Sequence, residues 1–179
     1  MAKVRINRNI ILSLKDFFDP ILASDGYDFS FVSAWADDDK IVKPEDYVSG
    51  QGMIKLPAGK MSILSRRQGD RQEIGSGKQN SIFYINLFIH AITEGQLYDL
   101  LDLFNDSLTD SNNTVGDLII PINDYTTTGY PTNSPVKIYD MEISNVQGKA
   151  VFGLGEENIA LNYAGIVGFM GTILRSPGV

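Results

Sequence analysis

The sequence predicts a single α+β domain: a mostly antiparallel or mixed β-sheet packed by an N-terminal helix and a central amphipathic helix at about residues 95–109, with long exposed loops. Three observations lead there. Apolar residues recur at helical spacing near the N-terminus and again between Leu97 and Leu108. Segments of strand length with alternating polarity fill much of the remainder. No linker, repeat or low-complexity stretch divides the 179 residues, so residues 1–179 read as one domain large enough to bury a core.

In chain order, Lys3–Ile6 alternates and suggests a short strand or extended arm. Ile10, Ile11, Leu14, Phe17, Phe18, Ile21 and Leu22 then form a helical stripe, with Asn7 or Asn9 available as N-cap. Pro20 is expected to kink or end that helix, and Ser24-Asp25-Gly26 supplies a stop. Tyr27–Ala36 places Tyr27, Phe29 and Phe31 opposite Asp28 and Ser30, the pattern of a strand. Residues 37–52 are polar, contain Pro44 and two glycines, and predict a long loop with room for a helical turn after Pro44. Met53–Leu56 and Lys60–Ser65 read as a hairpin around Pro57-Ala58-Gly59. Charge and glycine density make 66–79 a second exposed loop.

The segment Ser81–Tyr125 reads as strand, helix and strand, and is the expected nucleus of the fold. Phe83, Ile85, Leu87, Ile89 and Ala91 are uniformly apolar, whereas Tyr84, Asn86, Phe88 and His90 are mixed. One face therefore packs on a core and the other meets solvent or a partner. Leu97, Leu100, Leu101, Phe104 and Leu108 form the stripe that should cover the apolar face. Leu118–Ile122 returns as a strand, residues 124–135 form a third loop, and Val136–Val146 is a strand whose alternation changes phase, predicting a bulge near Tyr139. Gly148–Asn158 is expected to be a loop. Asn162–Leu174 is apolar on both faces, and its glycines 165, 168 and 171 favour a closely packed strand over a helix.

Composition narrows the chemistry. A net charge of −7 supplies no counterion-release drive for wrapping nucleic acid, and an anionic membrane surface repels such a chain on average. With no cysteine, disulfides, thiolate nucleophiles and cysteine-ligated metals are excluded. The N-terminal basic residues and apolar patch are interrupted by Lys15 and Asp16 with no cleavage site after them, and the apolar run at Leu161–Leu174 is too short for a bilayer helix. A soluble protein made in the cytosol is the expectation.

No catalytic, cofactor-binding or metal-binding residue emerges. His90 is the only histidine and lies between Ile89 and Ala91, which suits a structural or surface role better than a catalytic one. Asp37-Asp38-Asp39 lacks the spacing and glycine of a calcium loop. Gly75-Ser76-Gly77-Lys78 fails as a phosphate loop because Gln72 and Gln79 occupy the required glycine and hydroxyl positions. Gly153-Leu154-Gly155 has Asn158 where a dinucleotide fingerprint needs glycine. Asn105-Asp106-Ser107 and Asn112-Asn113-Thr114 match glycosylation acceptors formally, with no export signal to give them meaning. The basic cluster Arg66, Arg67, Arg71 and Lys78, in an acidic chain, suits charge-complementary docking, although a solvated loop has the same composition. Together with Tyr84, Asn86, Phe88 and His90, these residues form the candidate interface.

The segments SIFYINLFIHAITEGQLYDLLDLFNDSL, DLIIPINDY, VKIYDMEISNV and NYAGIVGFMGTIL, in that order after an N-terminal helix, carry a resemblance. Across roughly residues 7–175 the chain resembles the tail terminator (tail completion or neck) proteins of tailed bacteriophages, by element order and texture and without a signature motif. The resemblance implies a structural virion protein, not an enzyme, that uses no cofactor. It implies a homohexameric ring that caps the tail tube, stops tube polymerisation, and docks the head–tail connector or neck proteins. DNA would pass through the lumen without specific binding, and no membrane is involved. Assembly would occur in the host cytoplasm. Many members of that family are shorter, and the two loops before residue 80 have no assigned counterpart. Another head–tail connector or head-completion protein is the alternative, followed by a small ligand-binding module or enzyme.

Overall fold

A computed structural model describes residues 6–34, 40–71, 79–109, 120–124, 132–150 and 163–175. Helix α1 (Ile6–Ser24) buries Ile10, Leu14, Phe18 and Leu22, one residue per turn along a single stripe. Asn7 and Asn9 are not caps: both lie inside the helix, and Asn9 is fully buried. Lys3–Arg5 lies outside the described residues, and Ile6 is already helical. Pro20 does not end α1 either. It sits on the exposed side one turn from the end, where forgoing one hydrogen bond costs least. The stop comes at Gly26, as the sequence suggests. Gly26 N–H donates to the Ala23 carbonyl at 3.1 Å, and the φ of 82° at Gly26 brings Tyr27 N–H to the Leu22 carbonyl at 2.9 Å, a Schellman closure.

The predicted strand at Tyr27–Ala36 shrinks to β1 (Ser30–Phe31), parallel to Ala58–Gly59. Alternating polarity reported which residues turn inward. Phe29 stacks edge-on with Phe31 at 4.9 Å and with Phe104 at 5.8 Å, but the extended backbone finds only a two-residue ladder. Residues 35–36 lie outside the described set, as do 37–39 of the first loop. Within that loop, β2 (Ile41–Val42) and a 3₁₀ turn at Pro44–Asp46 are ordered elements, the turn falling where Pro44 predicted one.

The hairpin expected around Pro57-Ala58-Gly59 is not formed. Strand β3 (Ile54–Lys55) pairs parallel with β2 in a separate two-stranded sheet, and the chain bends at Leu56 and Pro57, joined by a cis peptide, before entering β4 (Ala58–Arg71) of the main sheet. Ile54, Leu56 and Ala58 are buried together with Ile41 in a small second core. That core places the bend between the two sheets rather than in the turn of a hairpin. The predicted loop at 66–79 also contracts. Arg66–Arg71 continues β4 and pairs with the start of β5 (Gln79–Ala91), leaving 72–78 outside the described residues.

Helix α2 (Glu94–Thr109) matches its predicted span. A capping pair starts it: Gln96 N–H donates to Thr93 Oγ1 at 3.2 Å, and Ile92 N–H donates to Gln96 Oε1 at 2.8 Å. Strands β6 (Ile120–Asp124) and β7 (Thr132–Ala150) extend into the predicted third loop, of which 125–131 lies outside the described residues. Strand β7 also runs to Ala150, past the predicted loop start at Gly148; residues 151–158 lie outside the described set. Its register shifts between Tyr139 and Glu142, where the phase change predicted a bulge, and again between Ile143 and Asn145. The glycine-bearing C-terminal segment is strand β8 (Tyr163–Arg175).

The six-stranded sheet has the order β1-β4-β5-β8-β7-β6, antiparallel except for β1 beside β4. This is the predicted α+β class with a mixed, mostly antiparallel sheet. Phe83, Ile85, Leu87, Ile89 and Ala91 are all fully buried, together with Val167, Phe169 and Ile173 of β8 and the stripes of both helices. Helix α2 crosses the sheet where Gly148 pairs with Gly165. A Cβ at Gly165 would lie 2.9 Å from Leu97 Cδ1 and 3.1 Å from the Gln147 carbonyl oxygen, and one at Gly148 would lie 3.0 Å from Leu101 Cδ1. Gly165→Val is therefore expected to displace the helix from the sheet. Overpacking of this kind costs about 1–3 kcal/mol, measurable as a lower urea midpoint with an unchanged slope.

Candidate functional site

The helices cover one face of the sheet, and the candidate residues lie on the other. Tyr84, Asn86, Phe88 and His90 alternate along β5 with the buried set and are each half-buried. Their neighbours on β8 are Met170, Gly168, Ile166 and Ala164, and on β4 Ser65, Ser62, Lys60 and Ala58. Paired residues of an antiparallel ladder share a face, so this surface is a set of rows. Phe88 with Ile166 and Tyr84 with Met170 are apolar; between them runs the polar row Ser62, Asn86, Gly168 and Asn145. Gly168 has a packing reason: a Cβ there would stand 2.7 Å from Ser144 Oγ and 3.4 Å from Asn86 Oδ1. Sequence reasoning missed Ile166, Met170 and Gly168 as members of this face, although the two-sided apolar pattern of β8 held the signal.

His90 stands between Ala58 and Ala164, so no carboxylate or hydroxyl shares its ladder row. Among the described residues no group of three His, Cys, Asp or Glu side chains stands together to hold a metal, and no helix is long and apolar enough to cross a membrane. The rows give the face shape and hydrogen-bonding groups.

Three members of the basic cluster fall on a strand. Arg66 and Arg67 pair with Phe83 and Ile82, register positions of opposite faces, and Arg71 pairs with Gln79 at the far end of the ladder. Arg67 belongs to the same register set as Tyr84 and Phe88. Lys78 lies outside the described residues.

A cleft of about 460 Å³ opens between the second half of α1 and the segment Tyr27–Phe31. Its rim carries Lys15, Asp19 and Asp28; Lys15 lies 3.9 Å from Asp19, and Lys55 pairs with Asp28. Tyr27 is raised above its ordinary value, first by burial and then by Asp99 and Asp25 nearby. Asp19 is likewise raised, by burial first, with Lys15 opposing and Asp16 adding to it. A carboxyl raised by folding favours the folded state while protonated, and that contribution is lost as pH rises through its folded value. Asp19→Asn is therefore expected to raise the melting temperature at neutral pH, with a gain that shrinks as pH falls into the carboxylate range. Paired thermal melts at neutral and acid pH check the sign.

Comparison of the chain with protein-family models and with curated proteins finds no match.

Proposed function

We propose that this chain is a structural, ring-forming protein of a tailed-phage virion: a tail terminator whose homohexameric ring caps the tail tube, stops its growth and joins the tail to the head or neck proteins. The observation that carries the reading is the asymmetry of the sheet. One face is sealed by α1 and α2, while the Tyr84, Asn86, Phe88 and His90 face is half-buried with neither helix over it. A face of mixed apolar and polar rows suits a neighbouring subunit or a lumen better than a reaction centre. The order of elements over residues 7–175 supports the same reading. The net charge of −7 also suits a lumen through which DNA slides without sticking.

Analytical ultracentrifugation with negative-stain microscopy, on the chain alone and with tube protein present, tests it. Ring particles are the expected result. A stable monomer that forms no ring under either condition overturns the proposal. A tube or portal gene beside the coding sequence would add independent support. Substitution of Arg67 is expected to leave the thermal melt unchanged while weakening assembly.

A further inference from the structure

The two ends of the sheet fit each other. At one end β1 pairs only with Ala58 and Gly59, and among the described residues no strand lies beside β4 from Lys60 onward. At the other end β6 pairs only with Thr132–Ile138, and no described strand lies beside β7 from Tyr139 to Ala150. Val32 N–H donates to the Gly59 carbonyl at 2.9 Å and Ser30 N–H to the Pro57 carbonyl at 3.0 Å, so this parity of β4 turns its backbone groups outward. Met61 and Ile63 continue it. Such an edge is a template for another strand.

Ladder register places these two edges, without a neighbour among the described residues, at the same height. Lys60 is level with Phe88, Ile166 and Gln147, and Arg67 is level with Ile82, Thr172 and Tyr139. Thus Lys60–Arg67 at one end faces the same level as Tyr139–Gln147 at the other. Each edge is blocked on the far side of that window, by β1 below and by β6 above. Strand directions agree as well. The run β4, β5, β8, β7 alternates, so repeating the unit beside itself sets β7 of one copy antiparallel to β4 of the next. Charge is complementary in sequence: Lys60, Arg66 and Arg67 lie in one window, Asp140 and Glu142 in the other, with Glu142 at the height of Ser65. Leu64 and Val146, 60% and 41% exposed, are among the large apolar side chains left on the surface, and each stands on one of these edges.

We infer that the occupant of the β4 edge is the β7 edge of a second copy of this chain, joined head to tail, so that the main sheet runs unbroken from subunit to subunit. The inference rests on the ring reading above and names the interface that builds the ring. A head-to-tail contact of this kind is heterologous and closes only by rotation.

Cysteine cross-linking tests it cleanly, because the chain has no cysteine of its own. Ser65→Cys is combined in turn with Asp140→Cys, Glu142→Cys or Ser144→Cys, allowing for a two-residue slip. Within one subunit β4 and β7 are separated by two strands, roughly 14 Å at the usual spacing, beyond the about 7 Å that a disulfide spans. Any disulfide is therefore between copies. The expected result is a ladder beyond the dimer on a non-reducing gel for at least one pair, with only dimers when the two single variants are mixed. Arg67→Glu is expected to shift sedimentation toward monomer, and adding Glu142→Arg in the same chain to reverse the shift. Rings visible by microscopy with no ladder from any pair would overturn the edge pairing and leave the ring reading standing. No rings and no ladder would overturn both.

Discussion

Leu101→Asp is expected to abolish the folded state. Leu101 is 3% exposed on α2, and its side chain lies over the paired glycines Gly148 and Gly165. A carboxylate there would be buried with no cation near it in the core cluster, which is otherwise apolar. Losing the leucine costs about 2–5 kcal/mol, and stranding an unpaired charge adds several more. Against a typical total of roughly 5–15 kcal/mol, little or nothing remains. Far-UV circular dichroism and a urea titration check it. A variant with a native melt would show that the buried face of α2 is misassigned.

Phe104→Ala is expected to leave a folded but badly weakened protein. Phe104 is fully buried, with its ring edge-on to Phe18 at 5.0 Å and to Phe29 at 5.8 Å. It thereby ties α2 to α1 and to the extended segment before β1. Phe18 also stacks on Phe169 of β8 at 5.6 Å, so one deletion opens a void shared by both helices and the sheet. A Phe→Ala change of this kind costs about 3–5 kcal/mol, or a fall in Tm of roughly 10 °C at about 2–4 °C per kcal/mol. Tyr98→Ala, on the same helix but 47% exposed, is the control and should move stability by about 0.5 kcal/mol or less. Equal losses from the two variants would contradict the packing described above.

The candidate site was legible only in part. Period-two alternation in β5 separated the sealed face from the Tyr84, Asn86, Phe88 and His90 face, because that period is a local property of the strand. The reading of Arg66, Arg67 and Arg71 as part of a loop was not supported, since they continue β4 in register with β5. Their polarity and the adjacent glycine resemble a solvated turn. Backbone pairing with β5 does not depend on side-chain polarity, and it holds them in a ladder.

The sequence by itself determined both helices, the stop at Gly26, the buried stripe of α2, the phase change near Tyr139 and the strand character of the glycine-bearing segment before Leu174. Each is written in the spacing of neighbouring residues. Tertiary structure decided the rest. It bent the chain at Leu56 and Pro57 from one sheet into another instead of turning it back at Pro-Ala-Gly, since burying Ile54, Leu56 and Ala58 in a second core outweighs the local turn preference. It lengthened β4 and β7 into polar segments, whose far edges have no strand beside them among the described residues. Strand pairing joins residues far apart in the chain, so no local pattern records which strands become neighbours.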